Sequence, residues 1–223
     1  MMALLVFLPA LAGGDVIADL NSGEVAEEFI NYKIAENPLE RIPPYRDRRE
    51  GSGVMLSIGY GQFQPQYYEP EYALESYDEV YGADEKGLYQ VSLAYKLNFF
   101  LGSLSLGVGA GIASSLSGDI ANYGDSEVKF VPHHIEATLA LDALFAQPVL
   151  VPYGLIGVYS VYYSETLGAT SKSGTTEAAL FFGGGASLQM DWLFPEESLA
   201  AYKENGQENT FVYLEARKYM ASA

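Results

Sequence analysis

Leu88–Gly118 reads LYQVSLAYKLNFFLGSLSLGVGAGIASSLSG. Every second residue of its first half is large and apolar: Tyr89, Val91, Leu93, Tyr95, Leu97 and Phe99. Their alternates are Gln90, Ser92, Ala94, Lys96 and Asn98. After a tight turn the alternation resumes, with Leu104, Leu106, Val108, Ala110 and Ile112 against Ser103, Ser105, Gly107, Gly109 and Gly111. Successive strand residues point to opposite faces, so this is an antiparallel hairpin with one greasy face and one small or polar face. A water-exposed face would carry many Lys and Glu residues. Here the second face is Ser and Gly, which suits the crowded interior of a narrow barrel. The greasy face then points outward, into lipid. A soluble barrel, with the greasy face inside, is the rival arrangement.

Working outward, the same period-two pattern marks strands at about 53–64, 87–99, 103–116, 132–146, 151–166, 175–193 and 209–219. The connections alternate long and short, as in outer-membrane barrels. Between the sixth and seventh strands, FPEESLAAYKENGQEN has room for a short helix at about Pro195–Lys203. The expected fold is all-β, an antiparallel up-and-down transmembrane barrel of about eight strands, seven of them visible. An odd, open sheet would leave backbone groups unpaired in lipid, at several kcal/mol each by order of magnitude. The missing strand is expected from residues before Gly53, from a further segment, or from a strand-donating partner or copy.

Composition agrees. The 223 residues carry 29 acidic and 12 basic side chains, a net charge of −17. That excludes a nucleic-acid surface, which needs clustered Lys and Arg. There is no cysteine, hence no disulfide framework and no thiolate metal site. Charged residues make up 18 % of the chain, below the roughly 25 % of soluble domains. No run of about 20 apolar residues can form a transmembrane helix.

Residues 1–12 are expected to be a signal peptide. Ala3–Leu11 supplies an apolar core and Ala10-Leu11-Ala12 a small-x-small cleavage pattern, although no Lys or Arg precedes them. A strand is the competing reading of this segment. Residues 13–52 read as a periplasmic extension and linker, with Val25, Phe29, Ile30 and Ile34 at helical spacing and Pro38, Pro43 and Pro44 breaking the chain. Arg46, Arg48 and Arg49 read as a solvated basic stretch, diluted by Asp47 and Glu50, in preference to a lipid-phosphate contact. Residues 53–223 are the barrel.

Tyr89 and Phe99 bracket the greasy face of one strand. Ten residues at about 3.3 Å each, tilted near 40°, span about 25 Å along the barrel axis, the height of an outer-membrane apolar band. These two and Trp192 are the expected aromatic girdle. The expected inward polar network is Lys96, Glu136, Asp142, Glu177, Asp191, Glu215 and Arg217. Charges in a narrow interior must pair or be wetted. A rigidifying network is expected in preference to a polar path for small solutes, since about eight strands are filled by their own side chains.

No catalytic residue, metal ligand or cofactor is expected. His133 and His134, the only histidines, are adjacent and point to opposite faces. A constellation of His134 and Glu136 with Ser114, Ser115 or Ser117 is the weaker hydrolase reading. The first long connection is acidic and Tyr-rich. Tyr67, Tyr68, Tyr72, Tyr77 and Tyr81 are expected to form an outer contact surface, because tyrosines bind at low entropy cost. The envelope lipids, lipopolysaccharide included, and an envelope protein are the expected partners.

Three stretches carry a family likeness: GVMLSIGYGQFQP (53–65), VPYGLIGVYSVYYSE (151–165), and GGGASLQMDWLFPEESLAAY with ENTFVYLEARKY (183–202 and 208–219). Through them the chain resembles the small outer-membrane β-barrel proteins of Gram-negative bacteria. The general shape resembles that of the OmpA and OmpW type, and the chain is also similar to myxobacterial barrels. The resemblance implies the fold and an outer-membrane location, and no established activity. The chain departs from that pattern in lacking an eighth strand that ends in a C-terminal aromatic residue.

Overall fold

The computed structural model describes residues 2–3, 43–65, 68–70, 72, 76–82, 86–116 and 126–221. The signal segment beyond Ala3, the proposed helix around Val25–Ile34, Tyr67 and Ser117 lie outside the described residues.

The architecture is all-β, an antiparallel up-and-down barrel sheet. The strands are β1 (Met2–Ala3), β2 (Ser52–Phe63), β3 (Lys86–Phe99), β4 (Gly102–Leu116), β5 (Ser126–Ala140), β6 (Leu150–Leu167), β7 (Thr170–Thr175), β8 (Ala179–Gln189) and β9 (Phe211–Tyr219). Among the described residues the helices are α1 (Tyr45–Arg48), α2 (Tyr77–Tyr81) and α3 (Pro195–Asn205). The order across the sheet is β1-β9-β8-β6-β5-β4-β3-β2, with β7 paired to β6 off that path. One end carries the tight β3–β4 turn and the longer β5–β6 connection (141–149), together with α3. It is called the turn end here, and the opposite end the loop end.

Alternation decides which face points in. Leu106 is 64 % exposed, whereas the flanking Ser105 is 6 % exposed. Val54, Leu93, Ile135, Ile156, Leu180 and Leu214 are likewise exposed, so the large apolar face turns outward on every long strand. Small residues let the walls approach. A Cβ on Gly107 would come within 2.8 Å of Ala94, and one on Gly157 within 2.4 Å of both the Ile135 carbonyl and the Phe181 ring.

The sheet curls until its first and last long strands share side-chain contacts. The Tyr213 hydroxyl of β9 bonds Ser57 of β2, and Lys96 reaches Glu208 at 2.8 Å. Among the described residues no backbone ladder joins β2 to β9. Instead Met2–Ala3 lies on the β9 edge, opposite Leu214 and Tyr213. This is an eighth neighbour on the sheet path, drawn from before Gly53.

Two strand boundaries differ from expectation. The strand expected at 132–146 runs Ser126–Ala140 instead. It starts earlier because its ladder with β6 continues to Ser126↔Leu167. It stops earlier because Asp142 is drawn inward, accepting bonds from Tyr45 and Ser103. The strand expected at 175–193 is β8 alone, Ala179–Gln189. Residues before it fold back as β7 through a turn at Gly168 (φ +57°), a left-handed position that suits glycine. Helix α3 begins with Pro195 at its first turn and closes on Gly206 (φ +67°), whose N–H donates to the Tyr202 carbonyl at 3.0 Å.

Candidate functional site in the barrel interior

The interior is bonded in three tiers. At the turn end, α1 enters the mouth as a plug. Tyr45 is fully buried and its hydroxyl donates to Asp142 Oδ2 at 2.7 Å. The N–H of Tyr45 donates to Gln147 Oε1 (2.7 Å), and that of Arg46 to the Ala146 carbonyl (3.0 Å), which ties α1 to the β5–β6 turn. Phe211 packs edge-on against the Tyr45 ring at 6.0 Å.

Three ion pairs surround that ring. Arg48 pairs with Asp191, their side chains 1 % and 2 % exposed. Arg49 pairs with Asp142 at 3.1 Å, and Lys96 with Glu208 at 2.8 Å. Arg49 also donates to the Gly102 carbonyl (2.6 Å) and Asn98 Oδ1 (2.9 Å). Three cations thus meet three carboxylates. The solvated reading of the arginine stretch holds for Arg46, which is exposed, and fails for Arg48 and Arg49. The cause lies far along the chain: their partners sit in turns about 90 and 140 positions away, beyond any local estimate of charge dilution. One signal was available. The expected inward set held five carboxylates (Glu136, Asp142, Glu177, Asp191, Glu215) and two cations (Lys96, Arg217), an imbalance that calls for cations from outside the strands.

The middle tier centres on Arg217. It contacts Glu215 and lies 3.1 Å from Glu136, with its guanidinium 5.3 Å from the Phe181 ring centroid. The Tyr153 hydroxyl donates to Glu215 Oε2 at 2.9 Å. His134 Nε2 lies 3.5 Å from Glu136, and its ring occupies the space that a side chain at Gly109 would fill. The structure places Lys96, Glu136, Asp142, Asp191, Glu215 and Arg217 inside. Glu177 is a correction: it is exposed in the β7–β8 connection, since the chain there belongs to neither strand.

The loop end is closed by tyrosines. Helix α2 turns into the mouth, started by a capping box in which the Ser76 N–H and Oγ both donate to Glu79 Oε2 (2.8 and 2.9 Å). Those bonds, the backbone one foremost, hold the Glu79 carboxyl below its usual range. Tyr77 and Tyr81 are 2 % and 4 % exposed. Tyr81 and Tyr68 both donate to Glu165, at 2.7 and 2.9 Å, and the Tyr77 hydroxyl bonds Ser115 at 2.5 Å. Val80, Val128, Phe130 and Val161 complete an apolar cluster beneath them. Tyr68, Tyr77 and Tyr81 therefore form a lid core and not the outer contact surface expected of them. Tyr72 is half-buried, under Lys172. The acidic sequence of the loop concealed the inward turn, because the residues that receive the tyrosines lie on other strands.

Ser115 is engaged with Tyr77, and Ser114 faces outward while His134 faces inward. The Ser/His/Glu constellation considered from sequence is therefore not assembled from these two serines. The girdle candidates Tyr89, Phe99 and Trp192 are all on the outer surface, at 64 %, 40 % and 53 % exposure.

Alkaline pH acts on both closures. Burial pushes the Tyr45, Tyr68, Tyr77 and Tyr81 hydroxyls above their ordinary value, and the carboxylate Asp142 adds to this for Tyr45, as Glu165 does for Tyr68 and Tyr81. A folded pKa above the unfolded one gives stability that is complete below the unfolded pKa and is lost as pH rises. The protein is expected to hold its fold up to about pH 10, the ordinary tyrosine value, and to lose it progressively above that. Tyrosinate absorbance and far-ultraviolet circular dichroism, followed together, check this. Ionisation completed near pH 10 with the fold unchanged would refute the buried closures.

Comparison with protein-family models, with curated proteins and with solved structures found no match for this chain. The class of protein rests on the fold: an all-β, up-and-down barrel sheet with a polar, ion-paired inner face.

Proposed function

We propose that the protein is an outer-membrane β-barrel with a structural or interaction role in the cell envelope, its turn end periplasmic and its loop end outside. The observation that carries this is the inversion of the sheet: large apolar residues outside, ion pairs and tyrosines inside. Such an outer surface is costly in water and stable in lipid. The two ends of the greasy face of β3, Tyr89 and Phe99, are both exposed aromatics ten residues apart. At the usual rise and tilt that is about 25 Å of membrane.

Docking of α1 at one end and of Tyr68, Tyr77 and Tyr81 at the other supports a structural role over a narrow pore. Lipids, lipopolysaccharide among them, are the partners of the outer band, and the exposed parts of the loops remain for an envelope protein. Residues 1–12 would act as the export signal. Pairing of Met2–Ala3 with β9 and removal of a signal exclude one another, so a processed chain would offer the β9 edge to β2 or to a strand from a second copy.

The test is electrophoresis of detergent-extracted protein with and without boiling, followed by planar-bilayer recording. A heat-dependent shift of membrane-fraction protein with no steady conductance is the expected result. Stepwise conductance would favour the pore. Protein recovered soluble, without a shift, would reverse the assignment of the two faces.

A further inference from the structure

The outward face of β5 and β6 carries a polar pair that the interior does not explain. On neighbouring strands β5 and β6, His133 and Ser160 are directly opposed and both face outward. Ser160 Oγ lies 2.6 Å from His133 Nε2. The other ring nitrogen, Nδ1, lies 3.4 Å from the Val131 carbonyl. A carbonyl can only accept, so Nδ1 carries the proton and Nε2 keeps its lone pair for the serine hydroxyl. This is a nucleophile, a base within hydrogen-bond reach, and a group that orients the base.

We propose that Ser160 and His133 form the nucleophile–base pair of an acyl-ester hydrolase acting on membrane lipids. The position selects the substrate. Towards the turn end the next outward residues are Ile135 and Val158, 57 % and 43 % exposed. Towards the loop end they are Val131 and the exposed Tyr162, followed by Lys129. The pair therefore marks the border where the apolar band gives way to polar and charged residues. From Leu150 to Ser160 along β6 is ten residues, about 25 Å along the axis, the full height of the band. That border is where the acyl esters of a lipid leaflet lie, between tails and headgroups. Neither side chain takes part in the interior network, so no packing role accounts for a hydroxyl and an imidazole there.

In the first step Ser160 Oγ forms a bond to the ester carbonyl carbon while His133 Nε2 takes the hydroxyl proton. The bond from that carbon to the alcohol oxygen breaks, and Nε2 returns the proton to the departing lysolipid. Water, the second substrate, then attacks the acyl-serine with His133 again as base. Free fatty acid leaves and Ser160 regains its proton.

The inference rests on the outer band meeting lipid, and the experiment separates the two. Full-length protein is mixed with phosphatidylethanolamine in detergent micelles, and fatty acid release is followed. A parallel sample is treated with a fluorophosphonate probe and the labelled peptide is identified. The wild type is expected to release fatty acid and to be labelled at Ser160. Ser160→Ala should abolish both, and His133→Asn should lower release about a hundredfold or more, the usual contribution of a positioned base. Both variants should keep the heat-dependent gel shift, because they face away from the interior. A wild type that shifts but neither labels nor releases fatty acid overturns the hydrolase and leaves the barrel standing. Release unchanged in Ser160→Ala overturns it too.

Discussion

Arg48→Ala is expected to destabilise the barrel by about 3–5 kcal/mol, the scale for removing one partner of a buried pair. Arg48 and Asp191 are both almost wholly buried, so the alanine leaves a carboxylate with no counter-charge. Asp191 has other contacts, but they are long: Ser198 Oγ at 3.3 Å and the Thr210 N–H at 3.4 Å. The readout is the temperature at which the unboiled gel band converts to the boiled one. Asp191→Asn should be comparably costly, since it leaves the buried Arg48 guanidinium without a counter-charge. Replacing both with Met and Leu together should recover most of the loss, because a desolvated pair is often no better than apolar packing. A loss below about 1 kcal/mol, typical of an exposed pair, would mean that water reaches the mouth and that α1 does not seal it.

Phe181→Ala is the second large effect. The ring is fully buried, in the middle tier. It stacks on Tyr219 (5.3 Å between centroids, 22° between planes), stands edge-on to His134 and Tyr159 at 5.7 and 6.2 Å, and lies under Arg217. Gly157 is small because that ring lies against it. Truncation leaves a cavity that the surrounding strands cannot close, since their backbones are held by ladders on both sides. The expected cost is about 3–5 kcal/mol, as for other buried Phe→Ala changes. Phe181→Leu should cost less, because it refills much of the volume. Equal tolerance of both variants would show that this level of the interior is hydrated.

The sequence made the strands legible because their environment is two-sided. Leu104–Ile112 alternates apolar with small or polar residues, the period of a two-sided strand. Lys96, Glu136, Glu215 and Arg217 could be placed inside by parity alone. What parity could not carry were the residues outside the strands. The inward docking of Tyr45, Arg48, Tyr77 and Tyr81 depends on partners far along the chain. Glu177 went astray for the complementary reason: the strand pattern was extended back through the β7–β8 connection, which belongs to neither strand. The pairing of His133 with Ser160 was illegible for a third reason. Each was visible as a residue, but their opposition depends on the β5–β6 register, and a shift of one residue would turn one of them inward.

The turn-end seal has a consequence for the order of assembly. Arg48 joins Asp191 across 143 positions, and Lys96 joins Glu208 across 112. Contacts of such long sequence separation form late, since the chain between them must first be organised. Strands β2 to β6 can therefore zip up as successive hairpins while Arg48 and Lys96 still lack their carboxylates. Only arrival of the β8–α3–β9 segment supplies both. An unfinished barrel thus leaves Arg48 and Lys96 without their carboxylates at one end, and the finished one pairs both.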